Sequence, residues 1–293
     1  MTEQSAWSFA DDRGRLAAAD RPPSRVLAYV QAGATLWDYG IRPEGIFGSG
    51  HDGQEPDPAK TGTLPLDAVD YRGAGDDLDV DTLLRGGPDL VVAVSYGHGQ
   101  LYGLDADTAK HLEERVQVVV IDVGQARTLD RVAERFAELA RSLGGAPAAG
   151  AADGLRAARE RLRSAARTAS GGGRVLALSP ASQEQAYAAR PQMWPELRVL
   201  AELGVGFATP PAGAGVNWAT VDWADAAALE PGIVLTDIRS NAIPLDEVTA
   251  PAWGPAGLRA RTVPWNPEPL CSPQAHARFL ALVADALEGP AGG

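Results

Sequence analysis

The sequence predicts an α/β chain made of two similar lobes joined by one long helix. Three observations predict this. Short apolar runs rich in Val, Ile and Leu alternate with helix-like stretches, the pattern of strands buried on both faces of a mainly parallel sheet. Two stretches of the first half recur, in the same order, in the second half. An Arg-rich helical stretch stands between the halves. A length of 293 residues suits two such lobes.

The strand candidates of the first half are Val26 to Val30, Gly45 to Phe47, Leu90 to Val94 and Val116 to Val120. Those of the second half are Val175 to Leu178, Val205 to Phe207, Ile233 to Leu235 and Arg261 to Val263. Leu129 to Leu143 places apolar residues at 129, 132, 133, 136, 139, 140 and 143, a helical period closed by Gly144-Gly145. Ala275 to Leu287 reads in the same way. Arg25-Val-Leu-Ala recurs as Arg174-Val-Leu-Ala, each opening a strand. Leu83-Leu-Arg-Gly-Gly-Pro-Asp-Leu-Val-Val parallels Ala228-Leu-Glu-Pro-Gly-Ile-Val-Leu, each a short helix, a turn and a buried strand. Residues 1–145 form the first lobe on this reading, 146–171 a linker and 172–293 the second lobe. Within the linker, Gly154 to Ala169 carries Arg at 156, 159, 161, 163 and 167 and ends at Gly171-Gly-Gly. A continuous helix there makes a stiff connection, where a Gly/Ser-rich linker would be flexible.

Composition narrows the function. Hydrophobic residues at 45% and charged residues at 22% describe a globular chain and exclude an intrinsically disordered one. Asp+Glu at 38 against Lys+Arg at 26 gives a net charge of −12, which repels phosphate backbones and argues against a nucleic-acid binder. The single cysteine, Cys271, excludes a disulfide framework within the chain, a cysteine zinc site and an iron–sulfur cluster. No apolar run approaches the ~18 residues that span a membrane. The start, Met-Thr-Glu-Gln-Ser-Ala-Trp, is polar and acidic and does not read as a signal peptide, and no cysteine near it could carry a lipid.

Several stretches together carry a family resemblance. Trp7-Ser-Phe-Ala-Asp-Asp-Arg-Gly-Arg looks like an entry hairpin. Arg25-Val-Leu-Ala-Tyr with Leu36-Trp-Asp-Tyr-Gly-Ile-Arg-Pro-Glu-Gly-Ile-Phe-Gly resembles a first strand–helix–strand unit. Leu83 to Val94 resembles a helix followed by Arg/Lys-Pro-Asp-Leu-Val, and Val118 to Gly124, the helix from Leu129 and the Ser272-Pro273 C-terminal helix also fit. In this order they resemble the substrate-binding proteins of ABC importers for iron–siderophore complexes, haem and vitamin B12. The resemblance covers nearly the whole chain. It implies two Rossmann-like α/β sandwich lobes on one long interdomain helix, with a ligand in the shallow cleft between them. It implies capture of a ferric siderophore or similar metal chelate, no catalysis, no cofactor, a monomer, and an extracytoplasmic place at the cell envelope. The chain departs from that family in showing no export signal or lipobox, which makes it cytoplasmic if Met1 is the native start. In the family one acidic residue per lobe docks on permease arginines, and Asp79 or Asp81 and Glu202 fall at about those places.

In open parallel sheets ligands sit beyond the carboxyl ends of the strands. The ligand-binding candidates on that rule are Trp37, Tyr96, His98, Tyr102, Tyr187, Arg190, Trp194, Trp218, Arg239 and Trp265. Their chemistry suits an oxygen-rich, often anionic chelate in an apolar shell. Aromatics give flat apolar contact, and Arg donates several hydrogen bonds to hydroxamate, catecholate or carboxylate oxygens. The four histidines, 51, 98, 111 and 276, are scattered, so bare metal is not the expected ligand.

Other readings stand beside this one. Haem or a cobalamin is a second ligand class, and a cytoplasmic relative that sequesters a metabolite is a third possibility. Gly48-Ser-Gly-His-Asp-Gly53 matches the dinucleotide pattern, but a loop follows where a helix N-terminus is needed. Ala93-Val-Ser-Tyr-Gly97 resembles a nucleophile elbow, with Ser95, Asp237 and His276 in hydrolase order. Against it, Gly97-His-Gly-Gln is a poor helix start, and His276 sits in a helix.

Overall fold

A computed structural model describes residues 6–169, 174–257 and 259–289. The chain divides into two compact units. One runs to Ala151 and takes back Glu268–Pro273; the other comprises Ala152–Pro267 and the chain from Gln274 onward.

Unit 1 opens with an antiparallel hairpin, β1 (Trp7–Ala10) and β2 (Leu16–Ala19). Then follow β3 (Val26–Tyr29), α1 (Val30–Asp38), β4 (Gly45–Phe47), α2 (Pro58–Thr61), β5 (Asp70–Tyr71), α3 (Val80–Leu83), β6 (Leu90–Ser95), α4 (Ala106–Glu113), β7 (Gln117–Asp122) and α5 (Leu129–Ser142). Among the described residues β3 to β7 form a wholly parallel sheet of order β5-β4-β3-β6-β7. Burial on both faces explains the near-continuous apolar runs: every residue of β3, β4 and β6 is buried. The helices start where their caps are. Asp79, Asp105 and Thr128 accept backbone N–H groups at the first turns of α3, α4 and α5. The hairpin is pinned to α5 by Arg135, whose guanidinium lies 4.7 Å over Phe9 and bonds Ala10 O.

Unit 2 contains α6 (Ala151–Thr168), β8 (Arg174–Pro180), β9 (Gln185–Ala189), α7 (Pro195–Glu202), β10 (Trp218–Asp222), α8 (Trp223–Ala228), β11 (Pro231–Asp237), α9 (Gly254–Gly257), β12 (Arg261–Trp265) and α10 (Pro273–Glu288). Its sheet has the order β10-β9-β8-β11-β12. The two Arg-Val-Leu-Ala repeats open β3 and β8, the central strands of the two sheets. The second repeat likewise supplies β6 and β11, each next to the centre.

The sheets differ where their connections differ. α1 carries the chain across from β3 to a parallel β4, whereas only residues 181–184 separate β8 from β9. That is too short for a crossover, so β9 pairs antiparallel with β8. After the longer 190–217 connection, β10 pairs antiparallel with β9 at the sheet edge. The expectation of strands only in the apolar runs therefore misses β9 and β10, which are Ala- and Tyr/Trp-containing and half exposed. The run Val205 to Phe207 makes no strand; it contributes one isolated bridge, Val175 to Phe207. The Arg-rich stretch is a helix through Thr168, and the expected stop at Gly171-Gly-Gly lies outside the described residues. No helix among the described residues is long and apolar enough to cross a membrane.

Candidate functional site

In unit 2, register and strand alternation build an aromatic face. Trp265 closes β12 opposite Asp237 of β11, and Ser179 of β8 stands opposite Tyr187 of β9. Ser179 Oγ donates to Asp237 Oδ2 at 2.7 Å, so Trp265, Asp237, Ser179 and Tyr187 form one row across four strands. Trp218, paired with Ala189, lies one step along on the same face. Trp194, just before α7, closes the cluster. Its ring centroid is 4.8 Å from Trp218 and 5.6 Å from Trp265, Trp218 and Trp265 are 5.7 Å apart, and Tyr187 lies 6.3 Å from Trp218. These are edge and tilted contacts of the kind that aromatic quadrupoles favour. Tyr187 is 42% exposed while Trp265 is fully buried, so the cluster runs from an open surface to an anchored base.

Two arginines border this face. Arg190 follows β9 and donates through Nε to Gly215 O at 2.9 Å, tying down the 213–215 loop. Gly215 is required there, because a Cβ would meet Trp218 O at 2.1 Å. Arg239 is held by Asp237, Nη2 to Oδ2 at 2.8 Å and Nε to Oδ1 at 3.1 Å, on a carboxylate that is itself buried. The pairing fixes the guanidinium in one orientation. Beneath the tryptophans, Glu196 is buried and accepts the Trp265 indole N–H at 3.1 Å. Burial pushes its carboxyl up to about 7, against the opposing pull of its own backbone N–H, the Trp265 N–H and the Arg198 and Arg239 charges.

In unit 1 a second, smaller cluster forms at the carboxyl ends of β3, β4 and β6. Tyr29 contacts Phe47 at 5.8 Å and Tyr102 at 5.5 Å, and Tyr102 contacts Tyr96 at 4.7 Å. The loop after β6 makes this possible. Gly97, His98 and Gly99 all have positive φ, a sharp reversal that returns the Tyr102 N–H to Val94 O at 2.9 Å. Within it Ser95 Oγ donates to Gly97 O and accepts the Gly97 N–H. No helix follows β6 until α4, so Ser95, the last residue of β6, leads into a loop and not into the helix that a nucleophile elbow requires. Asp237, engaged by Ser179 and Arg239, and His276, buried in α10, belong to the other unit.

Eight of the ten sequence candidates thus fall into two clusters: Tyr187, Arg190, Trp194, Trp218, Arg239 and Trp265 in unit 2, and Tyr96 and Tyr102 in unit 1. His98 is exposed and lines a separate polar cavity of about 450 Å³ with Arg13, Ser95 and Arg127. Trp37 is not brought to Tyr29. It sits at the far end of α1, roughly 12 Å along the helix, under the Arg42 guanidinium at 5.6 Å. Asp79 caps α3, Asp81 pairs with Arg115 at 2.7 Å, and Glu202 ends α7; all three are exposed.

Sequence reasoning missed a buried charge network. Lys60 is fully buried, with Nζ 2.9 Å from Asp52 Oδ2, 3.2 Å from Glu268 Oε1 and 3.5 Å from Tyr29 OH. Tyr29 OH donates to Glu268 Oε2 at 2.5 Å. Burial raises the Asp52 carboxyl, but the Ser49 N–H and the Lys60 ammonium outweigh it and hold Asp52 below its ordinary range. The glycine-rich 48–53 loop therefore folds around its own Asp52. The network, with Gln31 Nε2 on Pro269 O and Thr35 Oγ1 on the Cys271 N–H, fastens Glu268–Pro273 into unit 1. The one available signal was compositional: Lys60 is one of two lysines in a chain whose other cations are Arg.

Among the described residues no group of three or more His, Cys, Asp or Glu is placed to hold a metal ion. No protein-family model matches the chain, and no curated protein matches it in sequence. Solved structures do. DesE, a ferric-siderophore receptor from Streptomyces coelicolor, matches with a TM-score of 0.86 and 28% identity, over 97% of this chain and 98% of its own. The siderophore-binding protein FhuD from Vibrio cholerae, solved with Fe3+–Desferal, matches with a TM-score of 0.63 and 18% identity, over 91% and 98%. The periplasmic haem-binding protein RhuT from Roseiflexus sp. RS-1 matches with a TM-score of 0.63 and 16% identity, over 90% and 98%. The last two speak to the fold alone, while the likeness to DesE joins fold to sequence over almost the full length. With two α/β sheet lobes and that likeness, this chain has, over almost its full length, the fold of a ferric-siderophore receptor, a fold it also shares with siderophore- and haem-binding proteins.

Proposed function

We propose that this chain captures an intact ferric siderophore outside the cytoplasm and delivers it, chemically unchanged, to an ABC-type permease. The observation that carries the reading is the Trp194–Trp218–Trp265 face with Arg190 and Arg239 fixed beside it. A ferric chelate presents an apolar shell around an oxygen-rich core. The indoles suit the shell, and the guanidinium donors suit the oxygens. Below pH 7 Glu196 is largely protonated, so the base of the face adds little repulsion toward an anionic chelate. The likeness to a ferric-siderophore receptor narrows the ligand class further. Tyr96, Tyr102 and His98 are the candidate contacts from unit 1. Asp79, Asp81 and Glu202, all exposed, are the candidate contacts for permease arginines.

Tryptophan fluorescence tests this directly, since three of the seven indoles form the proposed face. Fe3+–Desferal, a ferric catecholate, haem and cobalamin are titrated in turn. The reading expects saturable quenching by a ferric siderophore at one per chain. Quenching by haem or cobalamin alone moves the ligand to that class, and none with any of the four removes the reading.

A further inference from the structure

The opposite face of the unit 2 sheet carries a cavity of its own. Its walls come from the ends of β11 and β12, the 238–248 loop and α9, and they enclose about 930 Å³, within the size range of small-molecule sites. Ile238, Leu245, Val248 and Trp253 give it a largely apolar lining. Trp253 is buried and leans on Trp223 at 5.2 Å, which makes that wall rigid. The side of β12 that shares this face stays open: Thr262 and Pro264 are exposed, while Val263 and Trp265 between and beyond them are buried.

Strand alternation aims one polar group into this space. Asp237 turns to Ser179 and Arg239, so its neighbour Thr236 turns to the other face, toward the cavity. Thr236 is 8% exposed, and its Oγ1 is buried without a hydrogen-bond partner. A buried hydroxyl left unbonded costs about 1–3 kcal/mol, and a bound molecule that supplies a partner removes the cost. Asp237 and Arg239 at the rim neutralise each other, and the remaining charged lining residue, Asp246, is exposed to solvent, so the buried Thr236 end of the cavity presents no unpaired charge.

We infer that this cavity is a second small-molecule site, for a neutral amphiphile. Its ligand has an aromatic or acyl body against the apolar walls and one amide, hydroxyl or amine group that pairs with the Thr236 hydroxyl. Arg239 and Asp237 border both this cavity and the tryptophan face, but Thr236 and Trp253, which carry the inference, lie on the sheet side opposite Trp218 and Trp265, so it does not rest on the chelate reading.

N-phenyl-1-naphthylamine is a fitting probe: neutral, apolar, with one N–H, and brightly fluorescent only out of water. The expected result is a saturable gain at one probe per chain. Thr236→Val keeps the shape and loses the hydroxyl, which weakens binding about 2- to 10-fold, the worth of one hydrogen bond. Thr262→Trp, at an exposed strand position that tolerates an aromatic, fills the mouth and weakens binding more than about 10-fold. Saturating Fe3+–Desferal leaves the probe in place. No saturable gain, equal affinity in wild type and Thr236→Val, or displacement of the probe by Fe3+–Desferal would each overturn the inference. Loss of chelate binding with the probe still bound would count against the chelate reading alone.

Discussion

Replacing Glu196 by Gln changes one buried charge and little else. The side chain is 3% exposed, and Gln keeps the oxygen that accepts the Trp265 N–H. In the folded protein burial lifts the carboxyl from 4.5 to about 7. Between those values the folded state holds a proton that the unfolded chain has released. Stability contributed by this group is therefore complete below about pH 4.5, falls as pH rises toward 7, and is flat above it. The slope approaches about 1.4 kcal/mol per pH unit, and the whole loss is about 3 kcal/mol. Gln carries no ionisable proton, so Glu196→Gln matches wild type near pH 4 and exceeds it by up to about 3 kcal/mol at pH 8. Urea unfolding of both proteins at pH 4, 6 and 8 reads this, and subtraction cancels every other titrating group. A difference that stays constant from pH 4 to 8, or a variant less stable than wild type at pH 8, refutes the argument that burial dominates at Glu196.

Lys60→Met leaves the Asp52 and Glu268 carboxylates buried beside each other without a cation, and urea unfolding should show a loss of about 3–5 kcal/mol. Adding Asp52→Asn and Glu268→Gln to that variant should recover most of the loss. Because Asp52 is held below its ordinary range, its contribution is present at neutral pH and disappears as pH falls through the folded value. Asp52→Asn should accordingly show a shallower stability decline below pH 4 than wild type. Trp218→Ala removes the central indole of the aromatic face and should weaken ferric-siderophore binding roughly 30-fold, about 2 kcal/mol by calorimetric titration. Trp37→Leu, at the far end of α1, should leave that affinity within about 2-fold.

Much of the α/β order was legible because a strand buried on both faces must be apolar throughout. Val26–Tyr29, Leu90–Ser95 and Gln117–Asp122 announce themselves in this way. The internal repeat pointed to two similar lobes, and the structure places its Arg-Val-Leu-Ala copies at β3 and β8, the central strands of the two sheets. β9 and β10 stayed hidden for a physical reason. They form an antiparallel edge with one solvated face, so their alternating Ala, Tyr and Thr residues carry no continuous apolar signal. Trp218 thus reads as loop in the sequence and is the first residue of a strand. The aromatic face was legible residue by residue, because the rule that ligands lie beyond strand ends picks Trp265 and Arg239 directly. Glu196 was not, since its importance rests on the Trp265 indole reaching it across 69 positions. The Lys60 network was hidden by the same distance, with Glu268 more than two hundred residues from Tyr29.

The most direct test of the account is calorimetric titration of the chain with one siderophore in two forms, iron-loaded and metal-free, alongside ferric ion held by a weak small chelator. The account predicts tight one-to-one binding of the iron-loaded siderophore, much weaker binding of the metal-free form, and no uptake of ferric ion on its own. Uptake of ferric ion without a siderophore, or no heat with any iron-loaded siderophore, would contradict it.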